Sequence, residues 1–245
     1  MVNIQIHQFQ PGGASVDEAA LEQFQRQWAT YQKLVDADCF GHKQVGALLH
    51  DALDQAFAQP FSLLDIACGD ASEMPRALAG TNIRHYHGID LSEPALELAA
   101  ANLEHVAFEV ELDHRDFIEA LSGRPEPADV SWCSISIHHL PTDGKRRLMQ
   151  ALRDSTRAVM MIYEPARQDG ETREKYLERF RRVNRPAWTM LTPEEWAQVD
   201  HHVTNCDLPE TAAEWLDLGR EAGFCQARQL FLDPTGFYGL YRYDR

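Results

Sequence analysis

Three acidic residues recur where alternating strands and helices would bring them together. Asp65 lies in the apolar run that opens LLDIACGDAS (63–72), Asp90 follows YHGI, and Asp116 follows ELDHR. They are separated by 25 and 26 residues, one strand–helix unit each. Acids at the carboxyl ends of parallel strands face the crevice in which open α/β sheets bind ligands. A carboxylate after the second strand can accept from both hydroxyls of a ribose diol. Asp116 and Phe117 offer a carboxylate for an adenine amino group and a ring for its face. The first loop has the single glycine Gly69 where a dinucleotide fingerprint has three.

A second set of residues suits a second substrate. His138 and His139 follow the fourth apolar run, where an imidazole can act as base or as a steering hydrogen bond. Tyr163, Glu164 and Arg167 end the fifth run and should face the same cleft. Trp28, Tyr31 and His42 belong to an N-terminal segment able to close over it, although Trp28 fits better the apolar stripe of Leu21, Phe24 and Tyr31. His201, His202, Asn205 and Asp207 form a polar stretch suited to acceptor contact. Their spacing matches no metal motif, so no metal is expected. Among the arginines near 171–185, Glu171–Lys175 and Glu178–Arg182 make i,i+4 pairs on a solvated face. Arg167, Arg173 or Arg181 could instead grip an acceptor carboxylate bidentately.

The elements that must position these residues are legible. Helical periodicity covers 16–35 and 41–58, and Pro60 breaks the chain. From there strands FSLLDIA, IRHYHGI, HVAFEVEL, ADVSWCSISI and TRAVMMIYE alternate with helices, which implies a parallel sheet with right-handed crossovers. After the helix closed by Gly223, CQARQLFLD and FYGLYRY flank the turn DPTG, a hairpin whose last strand runs antiparallel. The expected architecture is a doubly wound, mostly parallel seven-stranded α/β sheet with an antiparallel last strand. Residues 1–60 form an N-terminal helical cap, and 61–245 the core, with 165–208 inserted as a helical lid.

Composition narrows the function. The 245 residues include 23 basic and 38 acidic side chains, a net charge of −15, which argues against phosphate-driven binding of nucleic acid. No signal-peptide pattern and no membrane-length apolar run is present. The five cysteines are scattered without a C-x-x-C pair. A cytoplasmic protein with reduced thiols is expected. Oligomeric state has no sequence signal.

LLDIACGDAS, GIDLSE, HRDFIEAL and ADVSWCSISIHHL, in that order and with a closing hairpin, resemble the class I S-adenosylmethionine-dependent methyltransferases. The resemblance covers 61–163 by motif and 209–243 by topology. It implies a Rossmann-like methyltransferase fold with S-adenosylmethionine as cofactor and S-adenosylhomocysteine as product. Asp65 and the loop Ala67–Cys68–Gly69–Asp70 would hold the methionine end. Asp90 would bind the ribose, Leu91 and Phe117 would lie beside the adenine, and Asp116 would accept from its amino group. Ser134, His138, His139 and Leu140 would sit beneath the sulfonium, with Tyr31 and His42 closing from the cap. One departure is that alanines stand at 67 and 71 of a loop that is glycine-richer in the family. A methyl donor has no pyrophosphate needing close backbone approach, so the departure counts against a nicotinamide dinucleotide.

The reading that follows is methyl transfer to a small polar metabolite in a capped cleft. Tyr163, His138 and His139 are its catalytic candidates; Trp28, Glu164, Arg167, His201, His202 and Asn205 are its acceptor contacts. A methyltransferase acting on RNA or protein, or a module that binds S-adenosylmethionine without catalysis, would keep the same cofactor residues.

Overall fold

The computed structural model describes the backbone of residues 4–7 and all of residues 29–122 and 126–245. Its strands are β1 (Ile4–His7), β2 (Phe61–Ile66), β3 (Ile83–Asp90), β4 (Glu109–His114), β5 (Ala128–Ser134), β6 (Thr156–Arg167), β7 (Glu210–Thr211), β8 (Gln226–Leu232) and β9 (Tyr238–Asp244). The helices are α1 (His42–Ala56), α2 (Met74–Leu78), α3 (Glu93–Asn102), α4 (Phe117–Ser122), α5 (Thr142–Asp154), α6 (Arg173–Ala187), α7 (Pro193–Cys206) and α8 (Ala212–Glu221).

The strand order is β1-β4-β3-β2-β5-β6-β9-β8, with β7 against β6. Pairing is parallel except that β9 runs antiparallel to both β6 and β8. From β2 the chain steps outward through β3 to β4, then returns to place β5 on the other flank of β2. Strand order therefore reverses between β2 and β5, where α/β sheets open a crevice for ligands. The register sets Asp65 of β2 beside Gly88 of β3 and Trp132 of β5.

Burial follows from helices covering both faces, which favours continuous apolar strands. All six residues of β2 are buried. Alternate side chains divide between two cores. Leu63, Val130, Met161 and Tyr163 face one side with Leu49 and Leu53 of α1. Leu64, Ile66, Cys133 and Ile162 face the other with Leu148 of α5 and Trp215 of α8. The closing hairpin turns on Asp233, whose Oδ1 accepts from the backbone N–H groups of Phe237 and Tyr238 at 2.7 Å each.

The seven expected strands are present, and β1 and β7 are additional. β1 pairs in parallel with β4 at the sheet edge, so the first sixty residues contribute a strand as well as helix. The expected helix 16–35 is seen over 29–36; its earlier part and Trp28 lie outside the described residues. The fourth expected strand stops at Ser134 because Ile135 adopts φ +50°. The chain then bends into a short 3₁₀ turn at Ile137–His139. In the other direction, β6 runs on to Arg167, three residues into the expected lid.

The rest of that lid is α6 and α7. Thr172 caps α6, and Thr192 with Glu195 forms a capping box on α7. Their facing sides carry Phe180, Trp188 and Trp196, with ring centroids 5.5–6.0 Å apart. Lys33 pairs with Glu195 at 2.6 Å, which joins the segment 29–36 to α7. Among the described residues, no helix is long and apolar enough to cross a membrane.

Candidate active site

The loop after β2 is built against the end of β3. The Cys68 N–H donates to the Ile89 carbonyl at 3.1 Å, and the Gly69 N–H donates to Asp90 Oδ2 at 2.8 Å. Gly88 permits this approach: a Cβ there would stand 2.9 Å from Cys68 Sγ and 2.9 Å from Leu112 Cδ2. Asp90 Oδ1 accepts from the Ser92 N–H at 2.8 Å, so both carboxylate oxygens are oriented by backbone. Ala67, Gly69 and Ala71 all lie in the left-handed region, at φ +53°, +56° and +49°. For each alanine that conformation costs about 1–2 kcal/mol, and glycine is the residue that visits it freely.

Above this loop lies a cavity of about 960 Å³. It is lined by Asp65, Ala67, Cys68, Gly69, Asp70, Asp90, Leu91, Phe117 and Ser134, and by Tyr31 and His42 from the N-terminal cap. Where a Cβ at Gly69 would stand there is nothing within 4 Å. Gln32 donates to Asp70 Oδ2 at 2.9 Å, tying the segment 29–36 to the loop. The wall is acidic, which favours a cationic occupant.

Asp65 is buried and accepts from the Tyr86 hydroxyl at 2.7 Å. Burial pushes its carboxyl up to about 7, against the lowering effect of that hydrogen bond, and the nearby Asp90 adds to the rise. Burial also raises the Asp90 carboxyl, partly offset by its backbone donors. Desolvation lowers the His42 imidazole.

Asp116 differs from its expected role. Its Oδ1 accepts from the backbone of Ile118 at 2.9 Å and Glu119 at 3.2 Å, so it caps α4, and it is not among the cavity-lining residues. A short polar side chain ahead of a helix meets this demand of the backbone first. His114, whose Nε2 lies 2.9 Å from the Leu91 carbonyl, lines the cavity instead.

A second cavity, of about 410 Å³, adjoins the first and shares Tyr31, Ile135 and His139 with it. Its wall is aromatic on one side, with Phe40, Phe180, Trp188 and Tyr238, and polar on the other, with His138, His139, His202 and Asp207. His138 is buried; its Nδ1 lies 2.8 Å from Glu164 Oε2. Burial works to lower its pKa, but the nearby carboxylates of Asp207 and Glu164 override it and raise the imidazole to about 9. The His139 side chain is 39% exposed. Desolvation, then the neighbouring His138, pushes it down to about 4.

One expected catalytic residue, Tyr163, and several expected acceptor contacts are occupied elsewhere. The Tyr163 hydroxyl donates to the Phe40 carbonyl at 2.7 Å and is fully buried, so it holds the cap and lines neither cavity. Glu164 accepts from the backbone of Ser136 at 3.0 Å and Ile137 at 2.8 Å as well as from His138, which makes it the anchor of the 3₁₀ turn. Arg167 donates to Pro209 O at 2.8 Å, Glu171 O at 2.6 Å and Glu214 at 2.8 Å. Arg173 is spent on carbonyls of α7 and Asp207, and Arg181 on Asp200 and Thr204. His201 and Asn205 are exposed and contact each other, with Asn205 Nδ2 2.7 Å from the His201 carbonyl. Only His202 of that stretch, with Asp207, reaches the second cavity. Phe40, Phe180, Trp188 and Tyr238 were not expected there; the dense aromatics of a strandless lid are the one sequence signal for Phe180 and Trp188, and Phe40 and Tyr238 come from the cap and β9.

Residues 63–159 match a family model described as a methyltransferase domain. No curated protein matches the chain. Solved structures resemble its fold. Magnesium protoporphyrin IX methyltransferase from Synechocystis PCC 6803, with S-adenosylhomocysteine bound, is 13% identical, with a TM-score of 0.58 over 96% of this chain and 90% of that one. Cyclopropane synthase MmaA2 from Mycobacterium tuberculosis is 12% identical, TM-score 0.57, covering 82% of each. The pyocyanin biosynthetic protein PhzM is 18% identical, TM-score 0.55, over 80% of this chain and 54% of that one. The chain spans little more than half the length of several structures it matches. The strand order and the match over residues 63–159 give the chain the Rossmann-like methyltransferase fold with a methyltransferase domain at its centre.

Proposed function

We propose that the protein methylates a small molecule with an apolar, ring-bearing body and one polar reacting end. The observation that carries this reading is the junction: the loop cavity and the aromatic cavity meet at Tyr31, Ile135 and His139. The sequence alone favours a polar metabolite. Phe40, Phe180, Trp188 and Tyr238 move that expectation to a molecule polar only where it reacts.

When bound, S-adenosylmethionine supplies an electrophilic methyl group on a cationic sulfonium. Asp90, fixed by Gly69 and Ser92, would accept from the ribose hydroxyls. Leu91, His114 and Phe117 flank the region of the base. Asp65, Asp70 and the turn at Gly69 face the methionine end, with Ser134 on the sheet side. Tyr31 and His42 close the cavity and exclude water, so the reacting atoms are aligned in a dry site. The His139 imidazole presents a polar atom to the acceptor's reacting end at the junction, and His202 and Asp207 add polar atoms beside it in the second cavity.

Support also comes from the acidic balance of the chain, −15, which disfavours an RNA acceptor. The neighbours named for magnesium protoporphyrin IX methylation and pyocyanin biosynthesis accord with an organic small-molecule acceptor. The test is incubation with methyl-labelled donor and, separately, a metabolite extract, total RNA and total protein. Label in one small molecule is the expected result. Label only in a macromolecular fraction would replace the acceptor reading, and no transfer to any fraction would favour a binding module.

A further inference from the structure

We infer that His138, His139 and Asp207 form a binding site for one divalent transition-metal ion of the zinc class, open toward the aromatic cavity. Asp207 is buried, and its Oδ1 accepts no hydrogen bond among the described residues. Yet three imidazole nitrogens converge on that one oxygen: His138 Nε2, His139 Nδ1 and His202 Nε2, each at 3.6 Å.

That distance is informative. An N–H···O hydrogen bond spans about 2.7–3.2 Å. Two ligands on a tetrahedral ion with bonds of about 2.1 Å stand about 3.4 Å apart. The ligand atoms of His138, His139 and Asp207 all lie within 4.8 Å of one another, so a contraction of at most about 1.4 Å brings them onto one ion. His202 is outside that group; it approaches Asp207 at 3.6 Å from the exposed side and packs edge-on against His139.

The surroundings are built as a metal site requires. Glu164 takes the Nδ1 side of His138 at 2.8 Å, which leaves Nε2 facing Asp207. A carboxylate behind a ligating imidazole fixes its tautomer and ring orientation. The two segments are locked together, since the Leu208 N–H donates to the His138 carbonyl at 2.9 Å. Arg173 holds the Asp207 carbonyl from behind. Two imidazoles and one carboxylate suit a zinc-class ion and leave a coordination position for an exogenous ligand. Here that position faces the cavity assigned to the acceptor. An ion there would hold the acceptor's donor atom at the junction and lower its pKa, its proton leaving to solvent. This role rests on the methyl-transfer reading; the site itself does not.

The test uses the full chain after chelation and dialysis. Co²⁺ is titrated while its visible absorption is followed, and Zn²⁺ is titrated by calorimetry. One equivalent should bind, with the intense bands of a tetrahedral cobalt centre. His139→Ala and Asp207→Asn should each weaken binding by about 100-fold or more, whereas the remote, exposed His105→Ala should leave it unchanged. His139 is partly exposed, so its variant remains informative if the Asp207 variant folds poorly. No binding by the wild-type chain, or binding undiminished in both variants, overturns the site. S-adenosylhomocysteine titrated into the wild type and Asp207→Asn, whose altered residue lines only the second cavity, reads the donor cavity independently, so loss of one function is distinguishable from loss of the other.

Discussion

The buried carboxyl of Asp65 accepts a 2.7 Å hydrogen bond from the hydroxyl of Tyr86, one strand away, at the floor of the donor cavity. Burial pushes this acid up to about 7, and in the proposed function it stands beside the methionine end of a cationic cofactor.

Cofactor affinity should therefore depend on pH. A cationic ligand favours the ionised carboxyl, so binding of S-adenosylmethionine should tighten as pH rises through about 7 and level off above it. Stability moves the other way. The folded chain keeps a proton that the unfolded chain has already lost, so the contribution of Asp65 is eroded as pH rises from the ordinary carboxylate range to about 7. Calorimetric titrations and thermal melts at pH 6 and pH 8 read both signs. Asp65→Asn should flatten both; a wild-type affinity indifferent to pH would remove Asp65 from the ligand's field.

Ala67 and Ala71 hold left-handed backbone that suits glycine. Ala67→Gly and Ala71→Gly should each relieve strain, offset in part by the greater entropy of glycine in the unfolded chain. A net gain of about 0.5–1 kcal/mol per site is expected, or about 2–4 °C in Tm per kcal/mol for a domain of this size. Differential scanning calorimetry decides it, and a lower Tm would mean that the methyl groups contribute packing worth more than the strain.

Val199 lines the aromatic cavity from α7. Enlarging it by Val199→Phe should crowd the acceptor and raise its KM by about tenfold, with the dissociation constant for S-adenosylhomocysteine unchanged. Equal loss of both affinities would show that the two cavities are not separate binding sites.

How far the sequence disclosed this depends on whether a residue's partners are local. Asp65, Asp90 and the turn at Gly69 were legible because strand–helix spacing alone carries them to one sheet edge. The closing hairpin was legible from DPTG. Asp116 shows the limit: the same acid-before-helix pattern serves a ligand or an N-cap, and here its Oδ1 meets backbone. Tyr163, Glu164 and Arg167 ended the expected strand, but their partners, the Phe40 carbonyl, the 3₁₀ turn and Glu214, come from distant parts of the chain. The convergence of His138 and His139 on Asp207 likewise spans two segments that no short motif joins.

In the proposed function donor binding turns on Asp90, whose two oxygens are fixed by Gly69 and Ser92 in the cavity wall. The most direct measurement is calorimetric titration of S-adenosylhomocysteine into the wild type and Asp90→Ala. One site per chain is expected, weakened at least about tenfold in the variant, about the 1.4 kcal/mol scale of a lost charge-assisted hydrogen bond. Absence of binding to the wild type, or equal affinity in a folded variant, would contradict the placement of the cofactor.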